Sequence, residues 1–118
     1  MFWRKPNGYD QFFVLFNDWT WQMVKRSPFD EEHDPEFPCP GARPANESTP
    51  MPIRGFAGIW CNTPGVRDRL GNATDREIGY TGSMQEFEQG FMLQTANGTI
   101  HAFYYDDGHQ DKGNWGYP

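Results

Sequence analysis

The residues able to do chemistry in this chain are few, and their spacing decides what they can do. His101 and His109 flank Asp106-Asp107 near the end of the sequence, and these residue types hold a metal ion when three or four of them converge. Here they bracket Asp106-Asp107-Gly108, whose residue types are those a tight turn demands. We read that run as a turn and assign no metal to it. Asp30-Glu31-Glu32-His33-Asp34 carries oxygen ligands but lacks the ordered spacing of a calcium loop, and reads as a solvated acidic run. Ser27, Ser48 and Ser83 stand outside any strand-to-helix elbow. The sequence has no paired-histidine helix motif and no glycine-rich phosphate loop. Glu86 and Glu88, two apart, would share one strand face, whereas glycoside hydrolysis needs two carboxyl groups facing each other across a cleft. The expectation is a chain with no catalytic residues and no cofactor.

Binding and covalent bridging are the chemistries left. Trp3, Trp19, Trp21 and Trp115 lie in stretches outside the expected central core, and flat exposed rings stack on the apolar faces of sugars. The alternative use of the same rings is to staple a small domain that has few aliphatic residues. Cys39 and Cys61 form an even pair. Bridged in an oxidising compartment, they would close a loop worth about 3 kcal/mol; the alternative is a small buried thiol beside Trp60. Asn46-Glu47-Ser48, Asn72-Ala73-Thr74 and Asn97-Gly98-Thr99 fit the N-glycosylation acceptor pattern. Chance alone gives about 0.6 such sites at this composition, so three is an excess.

The totals narrow the partners. A net charge of −6 disfavours nucleic acid and anionic lipid, both of which call for a basic face. No apolar run approaches the roughly 20 residues that span a bilayer. Arg4, Lys5, Asn7 and Asp10 break any leader-like stretch at the start, so the export signal of a secreted protein would lie upstream. The sequons and the cysteine pair together place the expected location outside the cell or on its surface.

The elements that must position these residues are short. Aromatic residues make up 17% of the chain, and thirteen Gly and ten Pro punctuate it, a pattern that suits strands and ordered loops over a helical bundle. Residues 11–24 read as a hairpin. Its first strand, Phe12, Phe13, Val14, Leu15 and Phe16, is apolar on both faces and must be covered on both sides, by its own domain or by a neighbour that it joins as an assembly strand. Residues 27–52, rich in proline and acid, read as an extended connector. Phe56, Ile59 and Trp60 have the spacing of one face of a short helix. A second helical turn follows, with Thr63 as its cap, Pro64 at its first position and Gly71 as its stop. Met84 to Leu93 reads as one strand bulged at Gly90, returning through a two-residue Asn97-Gly98 turn into Ile100–Tyr105, so the second hairpin spans 84–105. The fold class expected is α+β, mainly antiparallel β, with one or two short helices at about 55–70 packed on a small sheet. Its core should contain Phe56, Ile59, Trp60, Val66, Leu70, Phe87, Met92, Ile100 and Phe103.

The two ends repeat each other. Met1 to Asp18 runs through Asn7-Gly8, an apolar strand and Asn17-Asp18; Met92 to Gly108 runs through Asn97-Gly98, an aromatic strand and Asp106-Asp107-Gly108. This predicts three parts: 1–26 as the closing hairpin of a preceding repeat unit, 27–52 as a connector, and 53–118 as the next unit.

Gly55-Phe56, Trp60, Asn62-Thr63-Pro64, Val66-Arg67, Leu70-Gly71, Glu77, Gln85, Phe87-Glu88, Gly90 and Met92 follow in an order that resembles a repeat module of secreted and surface bacterial multidomain proteins. Through Leu70-Gly71, Thr74, Glu77, Phe87, Gly90 and Met92 the chain is distantly similar to the LGFP cell-wall repeat. Asn72-Ala73 stands where that repeat has Phe-Pro, and Trp19 stands where a Gly is expected after Asn17-Asp18. The resemblance implies an exterior location, tandem arrangement and contact with wall glycan. Two functions follow as expectations. One is a non-catalytic structural repeat of an extracellular glycosylated filament, stalk or adhesion protein, assembling head to tail with copies of itself or neighbouring repeats. The other is a glycan- or cell-wall-binding module of a larger secreted protein.

Overall fold

The computed structural model describes residues 1–6, 8–27, 30, 32, 52, 54–74, 78, 79 and 81–118. Asn46, Cys39, Glu77 and nearly all of the Pro-rich connector lie outside the described residues. The chain is mainly antiparallel β with two short helices. In order it forms β1 (Phe2–Arg4), β2 (Asp10–Leu15), β3 (Thr20–Arg26), α1 (Arg54–Asn62), α2 (Val66–Leu70), β4 (Ser83–Phe87), β5 (Gly90–Gln94), β6 (Ile100–Asp106) and β7 (His109–Gly116). The strands are hydrogen-bonded in the order β1-β2-β3-β7-β6-β5-β4. Two compact units are present, Met1–Phe12 with Val24–Glu77, and Phe13–Met23 with Ile78–Pro118.

In the first unit, glycine sets how closely α1 approaches the strands. A Cβ on Gly55 would stand 2.7 Å from Phe12 Cζ, and one on Gly58 would meet the guanidinium of Arg26. Phe12 meets Phe56 edge-on at 5.5 Å. Trp60 is buried; its indole N–H donates to the Gly71 carbonyl at 2.8 Å, and the Arg67 guanidinium lies over its ring at 4.3 Å. That clasp ties the end of α2 back to α1 and uses the cation–π attraction as well as burial. Gly71 stops α2 with φ 73° and donates its N–H to Arg67 O. The start of α2 differs from expectation. Gly65, at φ 80°, precedes it without a side-chain cap, and Thr63 contributes only its carbonyl, which accepts from Val66 N. Pro64 falls in the turn before the helix, because the left-handed Gly65 intervenes.

In the second unit, β4, β5, β6 and β7 form an antiparallel meander, and β7 pairs with β3 through Thr20↔Asn114, Trp21↔Gly113 and Gln22↔Lys112. The core is a ring cluster. Phe91 and Phe103, directly opposite across β5 and β6, stack at 4.4 Å and 11°. Trp21 meets them edge-on at 5.5 and 5.4 Å, and Phe13 closes on Phe91 at 5.1 Å. Such offset and edge-to-face pairs satisfy the ring quadrupoles as well as burying area.

Three expectations change here. Met84–Leu93 is two strands, since the chain turns at Glu88-Gln89 and β5 restarts at Gly90. Gly90 is needed for close approach, not for a bulge, because a Cβ there would run into the Phe103 carbonyl. That turn moves the core position to Phe91 and leaves Phe87 exposed, while Ile100 is exposed as the first residue of β6. Of the expected core, Ile59, Trp60, Val66 and Phe103 are buried, and Phe56, Leu70 and Met92 are half-buried. Finally, Asn97-Gly98 belongs to a three-residue loop. Thr95 N donates to Thr99 O and Gly98 N to Thr95 O, a turn followed by one left-handed residue, Gly98 at φ 85°.

Candidate functional site

The four tryptophans singled out in the sequence have different fates. Trp21 is 2% exposed, and its indole N–H donates to Tyr104 O at 3.0 Å. It is a core residue and cannot stack on a ligand; the alternation that leads it inward is set by Phe13 on the paired strand and Phe91 beyond. Trp3 is half-exposed on β1. Trp19, 49% exposed, and Trp115, half-buried, come together with ring centroids 4.7 Å apart.

Around that pair the second unit gathers further rings. Tyr117, 59% exposed, packs edge-on against Trp19 at 6.0 Å and against Trp115 at 5.5 Å. The His101 ring lies 5.2 Å from Tyr117 and 5.9 Å from Trp115. Strand register explains the grouping, because Phe103 pairs with Trp115 and His101 is two residues before Phe103 on the same strand face. Trp115 is held by its indole N–H on Phe16 O at 2.9 Å and by its backbone N–H on Trp19 O. Beside the rings is an open groove of about 460 Å³ lined by Ile78, Thr95, Ala96, Asn97, Thr99, His101 and Tyr117. Among the described residues its lining carries hydroxyls, an amide and an imidazole, and no carboxylate, ammonium or guanidinium. Burial lowers the His101 pKa from the ordinary histidine value, so the ring is uncharged near neutral pH.

The turn that presents Trp19 is unusual. Trp19 has φ 67°, a left-handed backbone that is an outlier for a bulky side chain and costs about 1–2 kcal/mol relative to Gly. Its hydrogen bonds, Phe16 N to Thr20 O and Trp19 N to Phe16 O, repeat those of the Thr95–Thr99 turn one for one. The preceding side chain repeats too: Asp18 Oδ1 accepts from Thr20 N as Asn97 Oδ1 accepts from Thr99 N. The residue equivalent to Trp19 is therefore Gly98. The missing glycine after Asn17-Asp18 is the signal for it in the sequence. Tyr117 carries none, since the polar run His109–Gly116 does not look like a strand, and His101 stands out only as a metal-ligand residue type.

The remaining candidates are placed as follows. Asn72 and Asn97 are exposed. Cys61 is on the last turn of α1 and is not a free thiol. Phe12, Phe13, Val14 and Phe16 are buried and Leu15 is half-buried. Phe12 to Leu15 lie on β2, which stands between β1 and β3 in the strand order, and Phe16 follows the end of the strand. His109 and Asp106 face each other across the β6–β7 hairpin, while His101 is five residues up β6, about 17 Å away in a strand. Among the described residues no three His, Cys, Asp or Glu gather to hold a metal, and no helix is long and apolar enough to cross a membrane. Glu86 and Glu88 are both exposed, Glu88 in the turn beyond β4. No family model matches the chain, and neither a curated protein nor a solved structure matches it.

Proposed function

We propose that this chain is a non-catalytic, glycan-contacting module of an exported or cell-surface protein. The observation that carries this reading is the exposed ring cluster of Trp19, Trp115, Tyr117 and His101 beside a groove lined with hydroxyl, amide and imidazole groups. Sugars present apolar C–H faces and hydroxyl edges, so a site for them needs rings flanked by short polar groups. The LGFP-like order of Leu70-Gly71, Thr74, Phe87, Gly90 and Met92 supports a wall-associated setting. The exposed Asn72 and Asn97, with Asn46 and the Cys39–Cys61 pair, support export, glycosylation and an oxidising compartment. Asn97 lines the groove, so an N-glycan there and a bound ligand would compete for the same space. Retention of the full chain on purified cell-wall material, with and without Tyr117→Ala, tests the reading. It predicts retention that the substitution weakens at least fivefold; no retention on any wall or polysaccharide material would remove it.

A second reading, a structural repeat of a filament or stalk, is favoured by one observation. The segments β1-β2-β3 and β5-β6-β7 are both three-stranded meanders with left-handed residues at matching turns, Gly8 and Trp19 in one, Gly98 and Gly108 in the other. Units would then join through the edge strands β1 and β4, since β2 already stands between two strands. Concentration-dependent assembly measured by sedimentation, abolished by Gln85→Pro in β4, distinguishes it from the first reading.

A further inference from the structure

Resting on the glycan-contacting reading, we propose that Trp19, in the ring cluster beside the groove, is the principal sugar-stacking residue and that the ligand is an uncharged oligosaccharide chain. Folding alone favours glycine at this position, because the chain builds the same turn at Thr95–Thr99 with Gly98 as its left-handed residue. A tryptophan there strains the backbone and leaves half of its indole in water, where a ligand can reach it, while the other half packs on Trp115 and Tyr117. Strained residues of this kind cluster at ligand sites, where the surrounding structure holds them in place. Trp19 is pinned in this way: its carbonyl accepts from Trp115 N and from Asn114 Nδ2, and its turn is braced by Asp18 on Thr20.

Ring orientation and lining charge define the ligand class. Tyr117 stands at 87° to Trp19 and 83° to Trp115, and those two are tilted by 46°. Three such rings form a corner, not a plane. A flat crystalline glycan face meets one of them at a time, whereas a single chain whose successive sugars are rotated can lie on two. Among the described residues the groove lining of Ile78, Thr95, Ala96, Asn97, Thr99, His101 and Tyr117 holds no fixed charge to pair with sulfate, phosphate or uronate, and the net charge of −6 repels anionic chains. Threonine hydroxyls and the Asn97 amide suit the hydroxyl groups of neutral sugars.

Isothermal titration of the full chain with cellohexaose, chitohexaose, xylohexaose and mannohexaose, and with oligogalacturonate and a heparin hexasaccharide as anionic counterparts, tests this. The expected result is binding to at least one uncharged hexasaccharide, at least tenfold tighter than to either anionic probe. Trp19→Gly should lower that affinity at least tenfold while melting no more than about 6 °C below the parent, since relief of the strained backbone offsets most of the lost ring packing. Tyr104→Ala, which removes an equally exposed ring from the alternate face of β6, should leave affinity within twofold. Binding unaffected by Trp19→Gly, a melting point lowered by about 10 °C or more, or preference for an anionic probe would each overturn this inference and leave the broader reading standing. No binding to any probe would overturn both.

Discussion

Trp21 and Trp19 are two residues apart in sequence, yet the structure gives them opposite tasks, and truncating each in turn separates the tasks in energy. Trp21 is almost wholly buried among Phe13, Phe91, Phe103 and Tyr105, with centroids between 5.4 and 6.4 Å. A tryptophan buries roughly 150–250 Å², worth about 4–6 kcal/mol at about 25 cal/mol per Å², and measured truncations of large core rings fall at about 3–5 kcal/mol. The hydrogen bond on Tyr104 O is worth about 1 kcal/mol of that loss. Trp21→Ala should therefore cost about 4 kcal/mol. For a chain of 118 residues, an unfolding entropy of about 2.1 cal/mol/K per residue makes 1 kcal/mol equal to about 4 °C. The melting point should drop by about 16 °C, and Trp21→Phe, which keeps one ring but leaves Tyr104 O without that donor, by about half as much. Trp19→Ala should lower it by about 8 °C, half as much as Trp21→Ala, since only half of its ring is packed and alanine keeps the left-handed strain. Circular dichroism melts of the full chain in non-reducing buffer read all three. Equal losses for Trp19→Ala and Trp21→Ala would refute the division of labour, and a Trp21→Ala loss under about 4 °C would show that the ring core does not hold the second unit together.

The other glycine and histidine positions give sharper contrasts. Gly55→Ala pushes a methyl against the buried Phe12 ring at 2.7 Å and should destabilise by about 1–2 kcal/mol even after the gain in helix propensity. Gly58→Ala meets only the mobile end of Arg26, so propensity should win and raise stability by about 0.5–1 kcal/mol; both are read from urea midpoints. Gly90→Ala places a methyl on the Phe103 carbonyl, which is backbone and cannot swing aside. It should cost about 3 kcal/mol or more, seen as a melting point at least about 12 °C lower. Burial lowers the folded pKa of His101, so its contribution to stability is fully present above the unfolded value near 6.5 and is lost as pH falls through the folded value. His101→Gln should flatten the decline of the melting point below about pH 6.5 and leave the profile above pH 7 unchanged.

How much was legible depends on where apolar pattern and turn chemistry agree. The hairpin at 11–24 was readable because Phe12–Phe16 is a dense apolar run and Asn17-Asp18 marks its turn, and both short helices were readable from Phe56, Ile59, Trp60 and the stop at Gly71. β7 was not, because His109–Lys112 is polar on both faces: its upper half is solvent-exposed and is ordered by pairing with β6 and β3, a non-local cause that leaves no mark on hydropathy. Phe91 was missed as core for a related reason. Without a glycine or asparagine at Glu88-Gln89 the turn leaves no mark, and reading Gly90 as a bulge moves the inward position from Phe91 to Met92.

Legibility of the candidate site rests on a comparison within the chain. Residue types alone pooled Trp3, Trp19, Trp21 and Trp115, and burial alone separates only Trp21. What marks Trp19 is that the chain contains its own control: a turn with the same hydrogen bonds, the same acceptor side chain before it and the same left-handed residue, filled by Gly98 instead of an indole. A position that tolerates glycine in one copy and carries a strained, half-exposed tryptophan in the other has been occupied for something other than folding. The same comparison bears on the repeat. If the two meanders descend from one duplicated unit, Trp19 falls at the place of Gly108, and Gly98 at that of Gly8, so glycine is the counterpart of Trp19 by chain position as well as by turn geometry. Restoring glycine at Trp19 would then return that turn to its purely structural form, and substituting Trp at Gly98 should strain the second turn by about 1–2 kcal/mol without creating a binding ring beside Trp115.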